Sequence, residues 1–261
     1  MKLGLEAKRA LVVGASKGLG AAIAVTLANE GAQVIGAARS TDAIAALNDQ
    51  LESGAQGRIS PARLDLADPG SVTQLIASLE ADGGVDIVVN NSGGPPPGEA
   101  RSTEPATFEE QFAVMVSPLI AISQAMLRGM VERKWGRIVT LTSSGIEAPI
   151  PRLALSNALR QSLVGWSKTL ASEVASDGVT VNVVVQGRIH TDRVDELDAA
   201  SAKRLGKSVD EVRSASLATI PAGRYGRPEE LADVVAFLAG ERASYVTGSL
   251  VRVDGGMIRS I

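Results

Sequence analysis

The sequence predicts an α/β fold: a doubly wound, mostly parallel sheet of about seven strands in a single domain covering 1–261. Three observations predict it. Short β-branched runs alternate with longer helical patterns, with neither an internal repeat nor a dividing linker. Several of the short runs are continuously apolar, as strands covered on both faces are. The first run, Ala10-Leu11-Val12-Val13, leads straight into a glycine-rich turn and then a helical pattern.

In chain order, Arg9–Val13 reads as a strand and Leu19–Asn29 as the helix that returns from it. Gln33–Ala38 and Asp42–Leu51 repeat that unit, followed by Arg58–Leu64 and Ser71–Leu79. Val85–Asn90 leads to a long helix, Phe108–Arg133. Between them, Gly93-Gly94-Pro95-Pro96-Pro97-Gly98 is stiff and extended. Arg137–Leu141 precedes the helix Leu155–Ala175, where Leu155, Leu159, Leu163, Trp166 and Leu170 share one face. Val179–Val185, Glu229–Ala239 and Ser249–Val253 complete the alternation. The stretch 190–218 is polar and charged, and too long for an ordinary connection. It is read as an irregular substrate lid.

Composition narrows the function. The net charge is −3 with no basic block, which argues against nucleic-acid and membrane-surface partners. No run approaches about 20 apolar residues, so no membrane span is expected, and the start lacks the apolar stretch of a secretory signal. Zero cysteines and one histidine, His190, leave no thiolate chemistry and no metal site. The expected location is cytoplasmic.

The turn Gly14-Ala15-Ser16-Lys17-Gly18-Leu19-Gly20 has the logic of a phosphate cradle. Its glycines let the backbone turn and approach a pyrophosphate, and the following helix offers its positive end. The second strand ends in Arg39 and Ser40, where an acidic residue would hold the two ribose hydroxyls of NAD. Arg39, Ser40 and Lys17 suit a 2′-phosphate, so NADP(H) is the expected cofactor.

With Asp65-Leu66, Asn90-Asn91-Ser92-Gly93, Gly136-Arg137-Ile138-Val139, Asn182, Gly187-x-Ile189-x-Thr191 and Asp254-Gly255-Gly256, the chain resembles the short-chain dehydrogenase/reductase family over its length. It is most similar to the β-ketoacyl-carrier-protein reductase-like branch. The resemblance implies a Rossmann-type fold. It places Asp65 and Leu66 beside the adenine, and Asn91, Ser92 and Gly93 along the adenosine ribose. Gly187, Ile189 and Thr191 fall at the nicotinamide end. Gln186 stands where the family has a proline.

The family's chemistry needs a tyrosine acid, a lysine that lowers its pKa and holds ribose, a serine that orients the carbonyl, and an asparagine that anchors a relay water. Only the serine is retained, as Ser143. The tyrosine position is Ser156, the lysine position Arg160 and the asparagine position Met115. An aliphatic hydroxyl is a far weaker acid than a phenol. Arg160 can hold ribose hydroxyls but is no proton shuttle. Pro118 frees the Val114 carbonyl, a substitute anchor for the water. His190 is a further candidate proton donor. Arg152, Arg188 and Arg193 can together draw an anionic substrate, and 149–153 walls the pocket.

Two functions are therefore expected of different kinds. One is an NADP(H)-dependent oxidoreductase acting on a small carbonyl or alcohol with an atypical site. The other is a catalytically impaired NADP(H)-binding partner or sensor assembled with an active relative. The resemblance implies a homo-oligomer, dimer or tetramer, formed through the two long helices and the C-terminal segment. Of two basic residues the carrier-protein reductases tend to use, Lys134 matches one and Asp177 reverses the other.

Overall fold

The computed structural model describes residues 2–260. Seven strands form one parallel sheet in the order β3-β2-β1-β4-β5-β6-β7. They are β1 (Arg9–Val13), β2 (Gln33–Ala38), β3 (Arg58–Arg63), β4 (Ile87–Asn90), β5 (Gly136–Ser143), β6 (Val179–Gln186) and β7 (Leu250–Val253). The order reverses between β1 and β4, the kind of switch point at which a crevice forms outside the carboxyl ends of the strands.

Alternation along the strands sorts the core into two layers. Ala10 and Val12 of β1 face one way, onto α1 (Gly18–Asn29), α2 (Thr41–Ala45) and α9 (Pro228–Ala239). Leu11 and Val13 face the other, onto α3 (Pro69–Ala81), α5 (Ser117–Glu132) and α6 (Ala154–Val174). On α6, Leu155, Leu159, Leu163 and Leu170 are buried on the stripe read from the sequence. Each contributes about 1.5–3 kcal/mol of burial, and together they fix which side chains α6 turns toward the sheet.

Three elements differ from the expectations. The long helix is two, α4 (Pro105–Met115) and α5, broken at Val116 where φ/ψ is −118/−60. Pro118 lies in the first turn of α5, where a missing N–H costs nothing. The helix expected over 42–51 closes after α2 into a 3₁₀ turn over Ala46–Gln50. Asn48 explains this: its side chain bonds both Ile59 N and Ile59 O, tying the turn to β3. The stretch 190–218 is not irregular. It holds α7 (Asp192–Leu205) and α8 (Val209–Leu217), joined at Gly206 with φ +64. Taken as one stretch, Pro105–Glu132 also reaches the length and apolarity of a membrane span, contrary to the reading of the sequence, but 44% of its most apolar window is buried within the fold.

Candidate active site

The site is built on the strand ends that flank the crevice. Gly14 has φ +71, and a Cβ there would come within 2.7 Å of Asn91 Nδ2. A Cβ on Gly20 would lie 2.2 Å from the Gly14 carbonyl. Both positions therefore require glycine, and the loop after β1 lies directly against the loop after β4. Thr191 reaches the same place from the other side, 3.6 Å from a Cβ built on Gly18. Ser16, Leu19 and Asn91 are half-buried along this loop.

The N-terminus of α1 carries no side-chain cap and no acidic residue in its first turn. Its free N–H groups and positive end are thus open to an anion. Ser92 Oγ is buried with no hydrogen-bond partner, and a Cβ on Gly93 would meet nothing within 4 Å. A cradle only glycine fits, an uncapped helix end and an orphaned hydroxyl together fit a dinucleotide.

At the end of β2, Arg39 and Ser40 are exposed, and Lys17 is exposed in the loop after β1, the strand that neighbours β2. Among the described residues neither cation forms an ion pair. Ser40 starts α2 without spending its hydroxyl on a cap. Beyond β3, Asp65 is held in place: its N–H donates to Ser71 Oγ at 2.9 Å and its Oδ1 accepts from Ala67 N at 3.1 Å. Leu66 is half-buried next to it.

The other side of the crevice is built differently. Ser143 ends β5, and its Oγ accepts from Gly145 N at 3.1 Å, which leaves its proton free to donate. Ser143 and Gln186 are register partners, so the retained serine and the residue replacing the proline end adjacent strands side by side. Gln186 Oε1 is buried without a partner. Ser156 and Arg160 sit one turn apart on the buried side of α6. Arg160 Nη1 donates to the Leu141 carbonyl at 3.2 Å and Nη2 to the Ser92 carbonyl at 3.4 Å. Burial pushes the Arg160 guanidinium down to about 10. Met115 is buried at the break between α4 and α5.

The remaining candidates are mostly engaged. His190 is exposed and its Nε2 lies 3.4 Å from Asp195. The three arginines expected to draw an anion are each paired: Arg152 with Glu99, Arg188 with Asp198, and Arg193 with Glu196. Their charge is largely offset, so that expectation is corrected. Arg193 also reaches the Pro95 carbonyl at 3.5 Å, linking α7 to the proline run. That run is pinned at its end by Gly98, which exchanges backbone bonds with Arg152 and Ala154. Of the two tyrosines, Tyr245 is fully exposed, and Tyr225 donates to Asp198 at 2.8 Å.

Sequence reasoning missed Asn157 and Asp198. Asn157 bonds the Ile150 backbone at both its N–H and its carbonyl, fixing the wall beside Ser143. The capping-box spacing Ser208-x-x-Glu211 announced α8 and was overlooked.

A doubly wound sheet with a glycine cradle at its switch point is the architecture of a dinucleotide-binding protein. The chain matches the family described as enoyl-(acyl carrier protein) reductase over residues 14–258. It belongs to the short-chain dehydrogenase/reductase family. It is 38% identical over 256 residues to a 3-oxoacyl-(acyl-carrier-protein) reductase of Escherichia coli, covering 98% of this chain and 99% of that one. The corresponding reductase of Vibrio cholerae is 37% identical over 258 residues, covering 98% of this chain and 99% of that one. Among solved structures, the L-sorbose reductase of Gluconobacter frateurii, complexed with NADPH and L-sorbose, superposes with TM-score 0.92 at 30% identity, covering all of both chains. An NADPH-dependent reductase involved in bacilysin biosynthesis also gives TM-score 0.92, at 26% identity, covering 98% of this chain and 100% of that one.

Proposed function

We propose that this chain is an NADP(H)-dependent oxidoreductase acting on a small carbonyl or alcohol through an atypical active site. The observation that carries it is a pair of exposed cations, Lys17 in the glycine turn and Arg39 next to Ser40 at the end of β2, unpaired among the described residues, with a cradle that only glycine permits. The NADPH named for the related structures supports the same cofactor. Gly14, Gly18, Gly20 and Ser16 hold its pyrophosphate with the α1 N-terminus. Asp65 and Leu66 flank the adenine, and Asn91, Ser92 and Gly93 line the ribose. Gly187, Ile189 and Thr191 receive the nicotinamide end, with Arg160 beneath it. When bound, the dinucleotide supplies or accepts hydride.

The protein's own part is position and charge. Ser143 donates its free proton in a hydrogen bond to the carbonyl oxygen. The proton that completes the alcohol comes from Ser156 or His190, directly or through water, because Arg160 stays charged at neutral pH. The stretch 190–218, with α7 and α8, serves as the substrate lid. Lys134 is bound to Asp177 at 2.6 Å, which weakens any cationic docking of an acidic carrier protein and favours a free small substrate. The chain works in the cytoplasm as a homodimer or homotetramer, with Phe108 and Phe112 of α4 part of the joining surface. A panel of ketones tests this: steady NADPH oxidation with one of them supports it, and none across ketones and acyl thioesters sinks it.

A second reading draws on Arg160, whose two bonds to main-chain carbonyls make it a structural tie rather than an acid's helper. In it the chain is a catalytically impaired NADP(H)-binding partner or sensor of an active relative. Co-purification with a relative carrying the tyrosine and lysine would favour it. A self-sufficient homotetramer with turnover would exclude it.

A further inference from the structure

Asp198 is the one carboxylate among the described residues with almost no exposure, 1%. It lies on α7, yet both its oxygens are taken by residues from elsewhere. Arg188 Nη1, just past the end of β6, donates to Oδ1 at 2.7 Å. The Tyr225 hydroxyl, from the segment before α9, donates to Oδ2 at 2.8 Å. The Arg188 guanidinium also lies 5.9 Å from the centre of the Tyr225 ring. Burial first, and the bond to Asp198 second, push the Tyr225 phenol up, so it remains a donor.

The backbone around this node is fixed as tightly. Gly226 N donates to the Arg188 carbonyl at 3.0 Å, and His190 N donates to the Gly226 carbonyl at 2.8 Å. A Cβ on Gly226 would come within 2.5 Å of Ile189 Cδ1. Residues 188–190 are thus stitched to 226 by main chain and to α7 by the buried carboxylate. One residue on, Thr191 lies close to Gly18, the first residue of α1, where an added Cβ would sit 3.6 Å from Thr191 Cγ2. A buried carboxylate held by a cation and a phenol has one low-energy arrangement, so α7 and the end of β6 must move together or not at all.

We propose that Asp198 is a positioning residue for the nicotinamide end of the bound dinucleotide: through Arg188 and Tyr225 it sets the geometry of Ile189 and Thr191. The proposal rests on the NADP(H) reading above and goes beyond it, since Asp198 reaches the cofactor only through these neighbours.

The test compares two ligands by calorimetric titration: NADPH, and adenosine 2′,5′-bisphosphate, which lacks the nicotinamide half. Asp198→Asn is expected to weaken NADPH about tenfold and to leave the bisphosphate unchanged. Tyr225→Phe removes one bond without stranding a charge. It should fold even if the first variant does not, and weaken NADPH by a smaller factor in the same selective way. Equal loss of both ligands would reduce the node to general stability, and unchanged NADPH binding would end the idea; in either case, binding of NADPH by the unaltered protein would leave the cofactor assignment standing. An unaltered protein that binds neither ligand overturns the cofactor assignment, and this inference with it.

Discussion

The two sides of the crevice solve opposite problems. On the β1–β2 side the polar groups are left free: among the described residues Lys17 and Arg39 have no carboxylate, Ser40 caps nothing, and α1 begins without a cap. On the β5–β6 side most donors are spoken for: Arg160 by two carbonyls, Arg188 and Tyr225 by Asp198, Arg193 by Glu196. A binding surface must keep its donors unspent until the ligand arrives. The first side meets that condition. The second holds most of its charged groups in internal bonds, with the Ser143 hydroxyl proton free to donate.

The strongest way to break this contrast is to restore the missing chemistry. Ser156→Tyr with Arg160→Lys is expected to raise ketone reduction by about 10²–10⁴-fold, the worth of a positioned general acid. Steady-state NADPH oxidation reads it, and no gain would mean that the site uses another acid well or catalyses nothing. Next in size, Arg39→Asp should weaken NADPH by about 10–100-fold and leave NADH no weaker, as loss of a charge-assisted bond to the 2′-phosphate requires. Titration with both dinucleotides reads it; equal losses would remove Arg39 from the phosphate site.

Arg160→Met sharpens the other side. It strands the Leu141 and Ser92 carbonyls and should cost about 1–3 kcal/mol of stability by denaturant unfolding. The ratio of NADPH to NADH affinity should not change, and a changed ratio would contradict its placement away from the phosphate. The smallest effect belongs to Lys17→Ala. An exposed cation on a flexible stem is worth about 0.2–1 kcal/mol, so NADPH should weaken only a few-fold, and less at high salt.

The fold was legible because its signals are local. Strand periodicity, the leucine stripe of α6 and the glycine spacing all lie within a few residues of one another. The same locality explains the misses. Apolar character runs through Val116 without interruption, so only Pro118 marked the break between α4 and α5. Asn48 ends its helix by reaching Ile59, a contact across the chain that no window around Asn48 contains. The glycine turn after β1 was readable because glycine spacing reports backbone shape directly. Asp198 was read as nothing in particular, and the charged stretch around it suggested solvent. Its burial depends on Arg188 and on Tyr225, 27 residues away, and pairing of that kind leaves no mark on the local pattern.

An unspent positive edge at β2 should recognise the extra phosphate whether or not the far side turns over. Calorimetric titration of the unaltered protein with NADPH and with NADH tests it most directly. NADPH should bind tighter by at least about tenfold, the scale of one charge-assisted contact. Equal affinities, or no binding of either, would contradict it.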